Sequence, residues 1–183
     1  MSVIPLGSSQ LLIFDTMILS HFALADRLDV LGELLLGQPC ATTTVVLDEL
    51  RTGAKTRPEL AGALELEWVR QLPLDRPGEI KSFGVWVRRL GATGRDLGEA
   101  SVFAAAEHNG AVAITDDRSA TRVGRAYRLS VHGTIWLLVR ACGAGKLTEA
   151  AAGTLVEALR ATGHRLPCTG TEFPRYVRQH GLL

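Results

Sequence analysis

The sequence predicts an α/β fold with a central parallel sheet covered by helices, and three observations carry that prediction. Two short apolar runs, Leu11–Phe14 and Ala111–Ile114, are too brief for helices and suit strands buried on both faces. From the second run onward, strand-like and helix-like segments alternate quickly, as they do when helices cross between parallel strands. Both runs also end abruptly in carboxylates, Asp15 and the pair Asp116-Asp117, at the strand ends where open α/β sheets place their ligands.

Taken in order, the strand at Leu11–Phe14 leads into a helical segment, Thr16–Ala25, with Met17, Ile18, His21, Phe22 and Ala25 at helical spacing. A second helix, Arg27 to Leu36, presents Leu28, Leu31, Leu34 and Leu35, and Gly37-Gln38-Pro39 closes it. Cys40–Thr43 reads as a strand, and Thr44 suits the cap of a helix from Val45 to Thr52 ending at Gly53. Arg57–Glu65 is helical, opening near Pro58, and Glu67–Leu72 alternates like a half-exposed strand. Asp75-Arg76-Pro77-Gly78 reads as a turn before an amphipathic helix, Ile80–Leu90. Asp96-Leu97-Gly98-Glu99 has the spacing of a capping box ahead of the Ala-rich helix Ala100–His108, which Asn109-Gly110 ends. After Ala111–Ile114 come a helix at Arg118–Ala126, a strand at Tyr127–Val131, a helix from about Gly133 to Cys142, a helix at Thr148–Ala161, and a short helix after Pro174. A single domain over residues 1–183 is expected, with an acidic-site core over about 10–145 and C-terminal helices over about 146–183.

Composition narrows the functional classes. A formal net charge of +1 excludes a generally basic nucleic-acid glue, although it leaves room for a local basic surface. Cys40, Cys142 and Cys168 lie far apart, without a Cys-x-x-Cys pair or the His spacing of a zinc site, and suit idle thiols in a reducing compartment. No apolar stretch is long enough for a transmembrane helix and the amino terminus lacks a signal-peptide pattern, so a cytoplasmic protein without membrane contact is expected.

The chemistry lies in acids at element ends: Asp15, Glu49, Glu99 and Asp116/Asp117, with Asp96 close to Glu99. If they converge, two carboxylates ~4 Å apart repel by about 4 kcal/mol at an effective dielectric near 20, so the group must take up protons or bind a cation. Oxygen donors without His or Cys favour Mg2+ or Mn2+, an ion able to polarise a phosphodiester oxygen and activate a bound water. Structural readings stand beside this one. Asp96 and Glu99 suit a helix cap, Asp48-Glu49 a solvated helix face, and Asp116 an N-cap. Asp15 resists such a reading, because a lone carboxylate after four apolar residues is costly unless paired or metal-bound.

Arg118, Arg122 and Arg125 fall on one helix face behind the acidic pair and suit either RNA phosphate contacts or an ordinary charged surface. Arg88, Arg89 and Arg95 are weaker candidates for the same role. The five histidines share no spacing and are expected to be structural or on the surface. Trp68, Trp86 and Trp136 lie in apolar patterns that suit core or interface, so no base-stacking platform is expected.

Four segments in order, Ile13-Phe14-Asp15-Thr16-Met17-Ile18-Leu19, Val46-Leu47-Asp48-Glu49-Leu50, Leu97-Gly98-Glu99-Ala100 and Ile114-Thr115-Asp116-Asp117-Arg118, resemble the acidic motifs of PIN-domain nucleases, nearest the VapC-like bacterial branch. The likeness extends through Leu129-Ser130-Val131-His132-Gly133-Thr134. It implies a three-layer α/β/α PIN-like domain and a Mg- or Mn-dependent endoribonuclease whose catalytic acids are Asp15, Glu49, Glu99 and Asp117. Asp15, Glu99 and Asp117 would be the metal ligands and Glu49 would orient a water, with Asp96, Thr115 and Asp116 in support. Glu99 departs from the family's frequent Asp, and Asp117 is preferred over Asp116 because the family spaces this acid two after the Thr. The resemblance further implies an RNA substrate, a small antitoxin protein as partner, and a homodimer. Two other readings stay open: a non-catalytic PIN-like binding domain, and a phosphohydrolase of the haloacid-dehalogenase type with Asp15 as nucleophile. Against the latter, Met17 stands where that class expects a second Asp.

Overall fold

A computed structural model describes residues 10–92 and 97–183 of the chain. Five strands form one sheet: β1 (Leu12–Phe14), β2 (Cys40–Thr43), β3 (Val69–Leu72), β4 (Val112–Ile114) and β5 (Val131–His132). Their order is β3-β2-β1-β4-β5 and every neighbouring pair is parallel. All residues of β1, β2 and β4 are buried. Because successive strand residues point to opposite faces, helices must cover both sides, and the apolar runs in the sequence follow from that double coverage.

The helices are α1 (Thr16–Leu24), α2 (Leu28–Leu34), α3 (Thr44–Ala54), α4 (Pro77–Leu90), α5 (Leu97–Asn109), α6 (Arg118–Ala126), α7 (Thr134–Gly143), α8 (Glu149–Ala161) and α9 (Phe173–Gln179). The α5 helix packs across β1, β2 and β4, with α4 against its outer side. Its Ala100, Ala104, Ala105 and Ala106 are all buried, and such small residues let a helix approach a sheet closely. The α1 helix packs on α2, α3 and α8, and α8 on α7 and α9.

Most predicted elements are present with shifted ends. Pro58–Leu64 is a 3-10 helix rather than an α-helix. Pro77 and Gly78, read as a turn, form the first turn of α4, where a proline loses nothing by lacking an N–H. The cap of α3 is Thr43, whose hydroxyl accepts from the Val46 amide, and Thr44 is already helical. The predicted strand at Tyr127–Val131 is shortened to Val131–His132: Tyr127 ends α6 and Arg128 adopts φ 63°, which no strand residue can hold. Among the described residues no helix is long and apolar enough to cross a membrane.

Candidate active site

The strand order reverses between β1 and β4, which are hydrogen-bonded neighbours, so the carboxyl ends of these two strands open the crevice where α/β sheets bind ligands. Asp15 follows β1 directly and is only 3% exposed. Its Oδ2 accepts a 3.1 Å hydrogen bond from the Thr115 hydroxyl at the end of β4. Burial pushes its carboxyl up to about 7, and the Glu49 charge adds to the rise. The Thr115 hydroxyl and the Thr16 and Met17 amides pull the other way without cancelling it. A buried acid in this state favours a proton or a cation beside it.

Glu49 reaches the same place from α3. Its Oε1 accepts from the Gly98 amide at 2.9 Å, and its Oε2 accepts from the Thr16 hydroxyl. A Cβ at position 98 would overlap the Glu49 carboxylate, so only glycine lets the start of α5 come this close. Glu99 follows in the first turn of α5, half-buried. Asp48, its neighbour in sequence to Glu49, points to solvent and pairs with Arg51 at 2.6 Å, so the solvated-face reading holds for that residue alone.

The paired aspartates after β4 divide their duties. Asp117 caps α6: its Oδ1 accepts from the Ala120 amide at 2.6 Å, and its own amide donates to the Thr115 hydroxyl oxygen. The N-cap suggested for Asp116 therefore falls to Asp117. Asp116 turns to the start of α7 and the segment after α8. Its Oδ1 accepts from the Thr134 amide at 2.9 Å, and its Oδ2 from the Thr134 hydroxyl at 2.5 Å and lies 2.7 Å from His164 Nε2. A Cβ at Gly133 would strike the Asp116 carboxylate, which explains the glycine before Thr134.

His164 is buried, packs at a tilt against His21 with ring centroids 4.1 Å apart, and leaves its Nδ1 without a hydrogen-bond partner among the described residues. His21 in turn meets the Thr162 hydroxyl at 2.7 Å. Sequence reasoning assigned no role to these histidines, because nothing in local spacing ties residue 164 to residue 116. Arg89, a weak candidate for phosphate contact, lies over the rings of Trp86 and Tyr127 and pairs with Glu107, so it braces α4 against α5. Asp96 and Arg95 lie outside the described residues. Among the described residues no group of three or more His, Cys, Asp and Glu stands ready to hold a metal ion. What the fold does bring together is a hydrogen-bonded set: the Thr115 hydroxyl joins the Asp15 carboxylate to the Asp117 backbone amide, Glu49 accepts from the Thr16 hydroxyl and the Gly98 amide, and the Glu49 charge acts on Asp15.

The model of the DUF3368 family, described as a PIN domain, matches residues 11–172. The chain belongs to the PIN-domain family. Its members are nucleases of the hydrolase class. Two solved structures share this PIN fold. VapBC2 from Rickettsia felis, solved bound to a DNA fragment from its promoter, aligns with a TM-score of 0.50 at 15% identity over 67% of this chain and 98% of its own. PAE2754 from Pyrobaculum aerophilum aligns with a TM-score of 0.51 at 19% identity over 74% of this chain and 98% of its own. No curated protein matches this PIN domain in sequence.

Proposed function

We propose that the chain is a metal-dependent endoribonuclease and the toxin of a toxin–antitoxin pair. The observation that carries the nuclease reading is Asp15: a buried carboxylate at the sheet's switch point, held up to about 7 with the Glu49 charge acting on it. The donors are hard carboxylate oxygens, and a divalent cation would relieve the burial and like charge acting on Asp15, a chemistry that suits Mg2+ or Mn2+. Asp15, Glu99 and Asp117 would hold the ion, and when bound it would polarise a phosphodiester oxygen and lower the pKa of a water. Glu49, with one oxygen on the Gly98 amide and the other on the Thr16 hydroxyl, orients the attacking water. Thr115 keeps Asp15 and the start of α6 in register. Arg118 and Arg122 on exposed turns of α6 take phosphates of the RNA.

The VapBC2 structure supports a small antitoxin as partner, and a homodimer is part of the same proposal. Incubation of the full chain with structured and unstructured RNA and with DNA, in Mg2+, in Mn2+ and in chelator, tests the reading. RNA cleavage confined to the metal-containing reactions is expected. Binding of RNA without cleavage in any metal supports a PIN-like domain that has kept its fold and lost its chemistry.

A further inference from the structure

Beside the acids lies a cleft of about 490 Å3 that their chemistry leaves unexplained. Arg118, Arg122 and Arg125 line it from α6, and Arg165 reaches it from the segment after α8. Among the described residues no salt bridge engages Arg118, Arg122 or Arg165. The Asp116 carboxylate, which also lines the cleft, is already occupied by Thr134 and His164. Four guanidinium groups gathered from two elements against the single Asp116 carboxylate leave a net positive field, and planar guanidinium forks match phosphate oxygens. Burial, and after it the charges of Arg125 and Arg140, push the His132 imidazole down to about 4, so it is neutral at pH 7.

The rest of the lining is aromatic and apolar. His132 and Trp136 stack at 4.1 Å with their planes 10° apart, Arg140 lies over the Trp136 ring at 4.8 Å, and both rings line the cleft together with Ile135. A site for free inorganic phosphate has no use for such a wall. A nucleotide does, because each base offers a flat π-face and each phosphate a partner for arginine.

We infer that the cleft is a nucleotide subsite, in which Arg118, Arg122 and Arg165 hold a phosphate while the base lies against the His132 ring, which Trp136 backs. Only an unpaired nucleotide can present its base in this way, so the subsite takes a single-stranded segment. The inference rests on the nuclease reading of the adjoining acids, and the test separates the two.

The full chain, kept in chelator, is titrated with adenosine 5′-monophosphate, adenosine, inorganic phosphate and a hexa-aspartate peptide while the His132 ring protons are followed by NMR. The nucleotide is expected to shift those protons saturably, and adenosine and phosphate to bind at least tenfold more weakly. Arg122→Ala and Arg165→Ala, both exposed in the native fold, are each expected to weaken nucleotide binding at least threefold with unchanged thermal unfolding. Phosphate or peptide binding as tightly as the nucleotide overturns the subsite, as does nucleotide binding that leaves His132 unmoved or ignores both arginine variants. If the wild type cleaves RNA in Mg2+ yet fails the nucleotide titration, the subsite falls and the nuclease reading stands. If the titration succeeds and no RNA is cleaved, the nuclease reading falls and the cleft remains a nucleotide site.

Discussion

At the scale of single residues, Gly98 shows why a glycine precedes the acid of α5: its amide serves Glu49, and its missing Cβ makes room for that carboxylate. Gly98→Ala should cost about 1–3 kcal/mol, as overpacking does, and lower RNA cleavage at least tenfold by moving Glu49; urea denaturation and initial rates check both. Asp15 carries the opposite signature, a residue that costs stability in the metal-free protein. Its folded pKa lies near 7 against an ordinary value of 3.8, so its stabilising share is complete below about pH 3.8 and lost as pH rises to about 7. Asp15→Asn should therefore stabilise the metal-free protein by roughly 1–3 kcal/mol at pH 8, with the gain vanishing near pH 4. A loss of stability at pH 8 would make Asp15 a structural residue. The neighbouring aspartates separate in the same assay. Asp116→Ala orphans the Thr134 amide and the buried His164 and should cost roughly 2–4 kcal/mol, whereas Asp117→Ala removes a helix cap and should cost about 1 kcal/mol. Asp15 was legible in the sequence because a carboxylate after four apolar residues demands a reason. The role of Asp116 was not, since its partners come from residues 134 and 164 and no local pattern points there.

At the scale of elements, the span of α6 is legible in the sequence because its arginine period is a local signal, while its cap falls one residue later than the sequence suggests, on Asp117. Its arginines nevertheless differ in duty. Arg125 donates to the Val131 carbonyl at 3.0 Å and so ties the helix to β5. Arg125→Ala should lower stability by about 1 kcal/mol. Arg118→Ala and Arg122→Ala should leave stability unchanged and each reduce the slope of log binding constant against log salt by about 0.7 for single-stranded RNA. An unchanged slope would remove α6 from the RNA footprint. The β5 strand was misplaced toward Tyr127 because an alternating apolar pattern cannot reveal the positive φ of Arg128 or the packing of Tyr127 on Trp86. Trp136, whose apolar neighbours suit core or interface, is half-buried and stands beside His132 on a cleft wall, a placement that only long-range packing fixes.

At the scale of the whole molecule, alternating elements announced a parallel sheet, but the order β3-β2-β1-β4-β5 is a property of long-range pairing that no segment encodes alone. That order makes β1 and β4 neighbours and so joins Asp15 to Thr115 across 100 positions of chain. Acid stability is also a property of the assembled fold. Burial holds His21 and His132 down to about 4 from an ordinary 6.5, so their contribution is present above about pH 6.5 and lost as pH falls through about 4. Replacing both with Phe should flatten the fall in stability between pH 6.5 and 4, read from urea midpoints across that range. The central claim is that the acids at the switch point make a metal-dependent ribonuclease, and cleavage of a defined single-stranded RNA by wild type and Asp15→Asn, each in Mg2+ and in chelator, tests it most directly. Cleavage by the wild type in Mg2+ alone, with loss of at least a thousandfold in Asp15→Asn, is predicted; equal rates in chelator, or an Asp15→Asn variant as fast as the wild type, would contradict it.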